Sequence, residues 1–519
     1  MIGVLADYPR HESAALVLAA LRRSVSHSLA VHCAPAALGH FDVALTIDPS
    51  DAAGELLAQW LVERPRKLIV FGRLPAGLKS HFGVQTCAWP EPTDAWARSP
   101  SAPSRGQSES AGRVRYLPDA ASLGAAGWER ALERFDFTDE WNNLAFGAIR
   151  AEGSRWSLAE AVRAPDGAEL ARVEVGDQAL TSYAARFTLA ASNVLWVNRS
   201  VGTIDSFEWR MVEHFLAHYQ SDALPCVPVL SELPWGYDAA ITMRLDCDED
   251  ITSARPLWLA YREMGVPLSL AIHTSNLLHD AHYPFLREFC EHGGVLMSHT
   301  ATHAPNWGGS YEAAFAEGRE SRNRILAATG VSVDYAVSPF HQSPHYALQG
   351  LCDAGYSGCI GGIVRNDPEF LLARGGELAG LPQGFVGHSQ QTMLHGDCML
   401  AEGDQLAIFK ASFDRALETR TLFGFLDHPF SERYAYGWPD ETTRIQAHCD
   451  LIAHIRGKAQ APCFMDECEA LDFLRARAAI SLLHNERSFA VQLPQAHAFG
   501  FGVEYRGELL PLTDEGVLK

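Results

Sequence analysis

Within Leu245-Asp246-Cys247-Asp248-Glu249-Asp250, four carboxylates crowd into five residues. Like charges packed this closely repel, and a bound cation is a common way of holding them. Some fifty residues on, GGVLMSHTATH places His299 and His303 four apart. Two neutral imidazoles and one carboxylate, with positions left open for water, form a catalytic ligand set of the zinc or iron type. Spacing alone does not make a site. The 22 histidines in 519 residues yield about one HxxxH by chance, and the chain has three. His214/His218 lies in the amphipathic VEHFLAHY with no carboxylate cluster beside it and reads as an ordinary helix face. In His341-Gln-Ser-Pro-His345 the proline at 344 breaks helical i, i+4 geometry.

The elements that precede the His299 pair set it apart. An apolar strand, Val295–Met297, runs directly into it, and another, Ala240–Leu245, runs into the carboxylates. In a (β/α) barrel the residues at strand C-termini face the active-site mouth, and His303 is expected one helical turn beyond His299. The competing reading, a solvated acidic turn and two surface histidines, has to explain why both motifs fall at strand ends. Further signals continue the alternation: a strand at Leu268–Ile272 and helices at Pro256–Met264, Pro284–His292 and Ala313–Thr329. About 240 residues of such a pattern suffice for a barrel.

Upstream, Ile2–Ala6, Leu29–Cys33, Val43–Ile47 and Leu68–Phe71 read as strands, with helical spacing at Ser13–Arg23 and Ala52–Glu63. This predicts a parallel sheet of flavodoxin-like or amidotransferase-like type. No GxGxxG, GxSxG or Gly-Lys-Ser/Thr loop accompanies it, so a nucleotide role is unsupported. Residues 99–112 are rich in Ser, Pro and Gly and read as a surface loop. β-like stretches follow at Leu144–Arg150, Ala171–Val175 and Arg186–Val197, then a helix at Ser206–Tyr219 and a proline-bearing joint at Leu224–Pro234. The fold class is therefore α/β, partitioned as an α/β domain over 1–235, a distorted (β/α) barrel over 236–480 and a short β segment over 481–519.

Asp246-Cys247-Asp248 followed by His299-Thr-Ala-Thr-His303 resembles the first two motifs of the polysaccharide deacetylases, the NodB-homology or carbohydrate esterase family 4 group. That family more often has adjacent aspartates, and the D-x-D spelling occurs in the broader superfamily. The resemblance covers about residues 236–480. It implies a distorted barrel and hydrolysis of N- or O-acyl groups on sugars with a divalent metal, Zn2+ foremost and Fe, Co or Ni as alternatives. It makes Asp246 the catalytic base, and Asp248, His299 and His303 the metal ligands. The third motif falls at Val337-Ser-Pro339-Phe340. There the family arginine that steadies the base is missing, Arg244 is its candidate substitute, and the Phe340 backbone N–H is the implied oxyanion donor. The last motif, Leu-x-His, matches Leu426-Asp427-His428, making His428 the general acid and Asp427 either its neighbour or its orienting partner. Asp367 is a weak candidate for the fourth motif.

Composition narrows the partners. Lys and Arg number 42 against 63 Asp and Glu, a net charge of −21, which disfavours nucleic acid and makes a polyanionic glycan a less comfortable substrate than a neutral one. No apolar run approaches the ~20 residues that span a bilayer, and the start lacks the basic-then-apolar pattern of a secretory signal. Eleven scattered cysteines without a CxxC pair read as reduced thiols, so a cytoplasmic protein without membrane insertion is expected. Cys247 reads as a small buried side chain, because acidic neighbours raise a thiol's pKa. His388 and His395, on a Gly-rich stretch without strand or helix periodicity, are candidates for the cleft lining or ordinary loop residues. Trp141, Asn142, Asn143 and Trp438 are candidates for stacking on a sugar, with anchoring of core or loop as the alternative. Three functions follow for test: a deacylase acting on an acylated amino sugar of a glycan or its precursor, a hydrolase of a small non-sugar amide with the same metal site, and an inactive carbohydrate-binding barrel. Oligomeric state is not legible.

Overall fold

The computed structural model describes residues 1–6, 12–89, 112–131, 153, 155–175, 178–203, 205–361, 372–389, 392–431, 434–485, 488–494 and 497–518. Asp367, Trp141, Asn142, Asn143 and the stretch expected at 144–150 lie outside the described residues.

The N-terminal half is built on a nine-stranded sheet of two characters. Its parallel part runs Ala30–His32, Ile2–Leu5, Val43–Ile47, Lys67–Phe71 and Ser192–Val197. These strands are short and almost wholly apolar, as suits strands covered on both faces. The sheet then continues antiparallel through Gln178–Leu189, Glu169–Val175, Gly112–Tyr116 and Glu129–Ala131. The apolar stretch 186–197, read as one β-like run, is a hairpin. Ala190 takes φ 52° at its turn, and Leu189 pairs with Ser192. The parallel sheet expected for the domain over 1–235 is seen in those five strands, and the antiparallel half departs from the flavodoxin-like or amidotransferase-like type.

The second half carries a ten-stranded sheet. Ala239–Cys247, Ser269–Ile272, Val295–Ser298, Tyr335–Val337, Gly358–Gly361 and Val386–Ser389 lie side by side in chain order, all parallel, as successive βα crossovers demand. On the other flank of Ala239–Cys247 stand Phe423–Asp427 and Thr392–Met393, with Pro462–Phe464 pairing at its start. Ser389 and Thr392 thus belong to opposite sides of the sheet yet stand three residues apart in sequence. Such a link reaches at most about 11 Å, so the sheet curls round an interior. Ala271, Met297, Tyr335, Val337, Ile360 and Val386 fill that interior, together with Leu471 of the helix Glu467–Ala478.

The two halves meet at the strand starts. The Leu422 amide, one residue before Phe423–Asp427, donates to Glu232, and His27 pairs with Glu377 opposite the first residue of Val386–Ser389. Arg374 is buried between Glu213 (2.6 Å), Glu232 (3.5 Å) and the Thr419 carbonyl (2.9 Å). Removing one member of such a cluster strands the other charges without water. Arg374→Met is therefore expected to destabilise the chain by about 3–5 kcal/mol, seen as a lower midpoint in denaturant unfolding. The last residues form small antiparallel sheets, Ser481–Asn485 with Ser488–Gln492 and Val517–Leu518, and Gly502–Tyr505 between Glu508–Pro511 and Val229–Leu230 of the proline-bearing joint. Among the described residues no helix is long and apolar enough to cross a membrane.

Candidate metal centre and catalytic site

Strand alternation explains why the chemistry collects at one end. Side chains two apart share a face. Met297 lies in the interior, so His299 follows it inward, and Val386 leads His388 the same way. On Ala239–Cys247, Thr242, Arg244 and Asp246 form one face and Asp248 continues it past the strand end, while Ile241, Met243, Leu245 and Cys247 pack into the outer core. Burial, reinforced by the flanking Asp246 and Asp248, holds the Cys247 thiol well above its ordinary pKa.

Asp248, His299 and His303 converge. Asp248 Oδ1 is 3.2 Å from His299 Nε2 and 3.4 Å from His303 Nε2, and the two nitrogens are 3.1 Å apart. Ligand atoms about 2.0–2.2 Å from one ion lie about 3–3.5 Å from each other. His299 Nδ1 donates to the Val337 carbonyl at 3.1 Å, which leaves the Nε2 lone pair for a metal. Asp248 Oδ1 is buried and makes no well-aligned hydrogen bond, the position of an atom whose partner is a cation. Burial, ahead of the neighbouring His299, lowers His303 to about 4, so its imidazole is neutral at pH 7. Burial also works to lower His299, but Asp246 and Asp248 outweigh it and raise that pKa. The three residues fit a divalent ion.

His303 does not reach the cluster through a helical turn, as its spacing had predicted. Residues 299–304 form a loop in which Thr300 (φ 68°) and His303 (φ 55°) are left-handed. Asn306, Trp307, Phe340 and His341 nearby also have positive φ, a concentration of backbone strain typical of functional sites. Thr300 Oγ1 accepts from the His303 amide at 2.7 Å. The loop is pinned by Glu317, whose carboxylate accepts from the amides of Ala301 (2.8 Å) and Thr302 (2.9 Å) and from the Thr302 hydroxyl (2.6 Å). Nothing in the local sequence marks Glu317, which sits mid-helix in Tyr311–Thr329. Glu317→Ala is expected to weaken metal binding by about 10–100-fold, as loss of outer-shell partners does, measured by Zn2+ titration.

Asp246 is buried beside this cluster and gripped by Arg244, with Nε to Oδ1 at 2.7 Å and Nη2 to Oδ2 at 3.3 Å. Burial would raise its pKa, but Arg244, then His299 and His428, hold it below the ordinary value, leaving a carboxylate at neutral pH. Arg244 comes from the same strand two residues earlier, on the same face as Asp246. Glu467 continues the chain across the interior, 3.7 Å from Arg244 Nη1 and 3.0 Å from His388 Nε2. His388 therefore belongs to a strand and to the ion-pair network behind the base. Its neighbour strand is Gly358–Gly361, with two glycines in four residues, where a Cβ at Gly358 would lie 2.3 Å from the Val386 carbonyl oxygen. Close backbone contact replaces apolar alternation there, which hid both strands from a periodicity reading.

His428 Nε2 lies 3.5 Å from Asp248 Oδ2. Its Nδ1 meets His395 Nε2 at 2.8 Å, and Tyr436 stacks on its ring at 4.1 Å and 14°. Asp427 accepts from the His428 amide at 2.7 Å, while Arg444 (2.7 Å) and His448 (3.0 Å) hold its other oxygen. Phe340 is half exposed, with its ring 4.6 Å from His303. His341, set aside on the sequence because of Pro344, is buried beside the site. Burial, ahead of Arg244, lowers it to about 3. Trp438 is buried in the core, which removes it as a sugar-stacking surface. His218 pairs at 2.5 Å with Glu504 of the C-terminal strand Gly502–Tyr505 and joins these two segments. A cavity of about 740 Å³ opens beside Asp248, lined by Glu249, Asp250, His273, Asn276, His282 and Ser431.

Neither a family model nor a curated protein matches this chain. Among solved structures, a protein from Mycobacterium smegmatis described as a polysaccharide deacetylase is 13% identical, over 47% of this chain and 93% of that one, with a TM-score of 0.39. A family 4 acetyl xylan esterase from Clostridium thermocellum, solved with a cobalt ion, is 10% identical over 45% and 91%, with a TM-score of 0.30. A carbohydrate esterase family 4 pseudoenzyme from Bacillus anthracis is 11% identical over 45% and 66%, with a TM-score of 0.31. This chain is thus similar, over somewhat less than half its length and at low identity, to carbohydrate esterase family 4 structures.

Proposed function

We propose that this chain is a metal-dependent deacylase that hydrolyses an N-acyl group, with an amino sugar of a glycan or glycan precursor as the substrate class. One observation carries the reading: three ligand atoms converge within 3.1–3.4 Å, with the buried Asp246 carboxylate gripped by Arg244 beside them and His428 Nε2 3.5 Å from Asp248. A divalent ion held by Asp248, His299 and His303 would supply Lewis acidity, activating water and polarising the acyl carbonyl. Asp246, fixed by Arg244, takes the proton of the attacking water. The Phe340 amide, in its left-handed turn beside His303, is the donor to the tetrahedral oxyanion. As the C–N bond breaks, His428 Nε2 gives a proton to the leaving nitrogen, and the products are a carboxylate and an amine. A positioned acid supports an amide substrate, since an amine leaves poorly without protonation. The sugar follows from the motif resemblance, so the small amide stays the alternative within the same chemistry.

The test is release of carboxylate from N-acetylated amino-sugar oligosaccharides and from a panel of small amides, with and without a chelator. Release that chelation stops and Zn2+ restores is expected. Sugar binding indifferent to chelator, with no release from either panel, would replace this reading with that of an inactive binding barrel.

A further inference from the structure

What faces His428 Nδ1 is a second imidazole. His395 Nε2 lies 2.8 Å from it and 3.6 Å from Asp427 Oδ1. Asp427 itself is anchored elsewhere, by Arg444, His448 and the His428 amide, and Arg444 also donates to the His428 carbonyl at 2.6 Å. His395, Asp427, His428, Arg444 and His448 are each at most 7% exposed. Two glycines let the loops carrying His395 and Tyr436 touch: a Cβ at Gly396 would stand 2.3 Å from the Gly437 carbonyl carbon, and Gly437 has φ 75°. The Gly396 amide donates to the Tyr436 carbonyl at 3.0 Å, and Tyr436 lies against both imidazoles. Burial, ahead of repulsion by His428, lowers His395 to about 3, so it stays neutral. A neutral imidazole offers one N–H and one lone pair.

We propose that His395 is the positioning residue of the general acid, sharing a single proton with His428 Nδ1. The inference rests on the reading of His428 as the acid. When His428 carries two protons, its Nδ1–H donates to the His395 Nε2 lone pair and its Nε2–H faces the ligand cluster. After the Nε2 proton has gone to the leaving nitrogen, the Nδ1 proton stays between the rings, and one proton from solvent restores the pair.

The test compares wild type, His395→Phe and His395→Gln, all loaded with Zn2+, on an N-acetylated amino-sugar oligosaccharide and on 4-nitrophenyl acetate. The ester's leaving group needs no proton. For His395→Phe, turnover of the amide is expected to fall about 100–1,000-fold, within the span of general acid catalysis, with KM little changed and a far smaller loss on the ester. His395→Gln, which keeps a polar atom near the Nε2 position, is expected to recover part of the amide rate. Equal losses on both substrates, or none on the amide, would overturn the inference while leaving the deacylase reading in place. Long-range ¹H–¹⁵N correlation of the histidine rings gives a readout independent of turnover. A single His428 tautomer in the wild type that becomes mixed in His395→Phe supports the coupling; an unchanged His428 ring overturns it. A wild type that hydrolyses neither substrate fells the deacylase reading, and the ring spectra then decide the coupling alone.

Discussion

Asp246→Asn is expected to cut turnover by about 10²–10⁴-fold, the span ascribed to a positioned base, while metal content stays at the wild-type level. The substitution keeps the side chain's shape and an oxygen for Arg244, which contacts both carboxylate oxygens at 2.7 and 3.3 Å. It removes the one property that a base requires, the capacity to take a proton. Metal is expected to stay because Asp246 is not one of the three convergent ligands. Carboxylate release and elemental analysis on the same preparation separate the two effects. Activity near wild type would take the base assignment from Asp246, and loss of metal would place Asp246 in the ligand set.

His299→Ala is expected to do the reverse. His299 contributes Nε2 to the cluster and fixes its ring through Nδ1 on Val337, so its loss removes a ligand and the organisation around it. Binding should weaken by more than the 10–100-fold that outer-shell changes cost. Zn2+ at about 100 times the dissociation constant stabilises a protein by about 2.7 kcal/mol, so thermal unfolding of the wild type should shift upward with added Zn2+. The variant should show little shift at the same concentration. An equal shift in both would mean that the ion sits elsewhere.

Strand ends were the legible part of this site. Asp246, Asp248 and His299 could be placed because apolar strand runs lead into them, and the alternation of such runs with helical stretches foretells a parallel sheet. The route by which His303 arrives was not legible, since four-residue spacing suggests a helix and the chain uses a left-handed loop held by Glu317. His388 and His395 were visible only as loop candidates. His388 lies on the short strand Val386–Ser389 and His395 in the loop after Thr392–Met393, and contacts with Glu467 and His428, 79 and 33 residues away, fix their surroundings. Arg244 was reachable by its two-residue offset from Asp246, which puts both on one face of a strand. The antiparallel half of the N-terminal sheet was seen only in fragments, and the hairpin within 186–197 was hidden because its turn at Ala190 carries no strong turn residue.

Equilibrium dialysis against Zn2+, followed by elemental analysis of wild type, Asp248→Ala and His299→Ala side by side, tests the central claim most directly. The predicted result is about one ion per wild-type chain and loss of that ion from both variants. A wild type that retains no ion, or variants that retain it in full, would contradict the account.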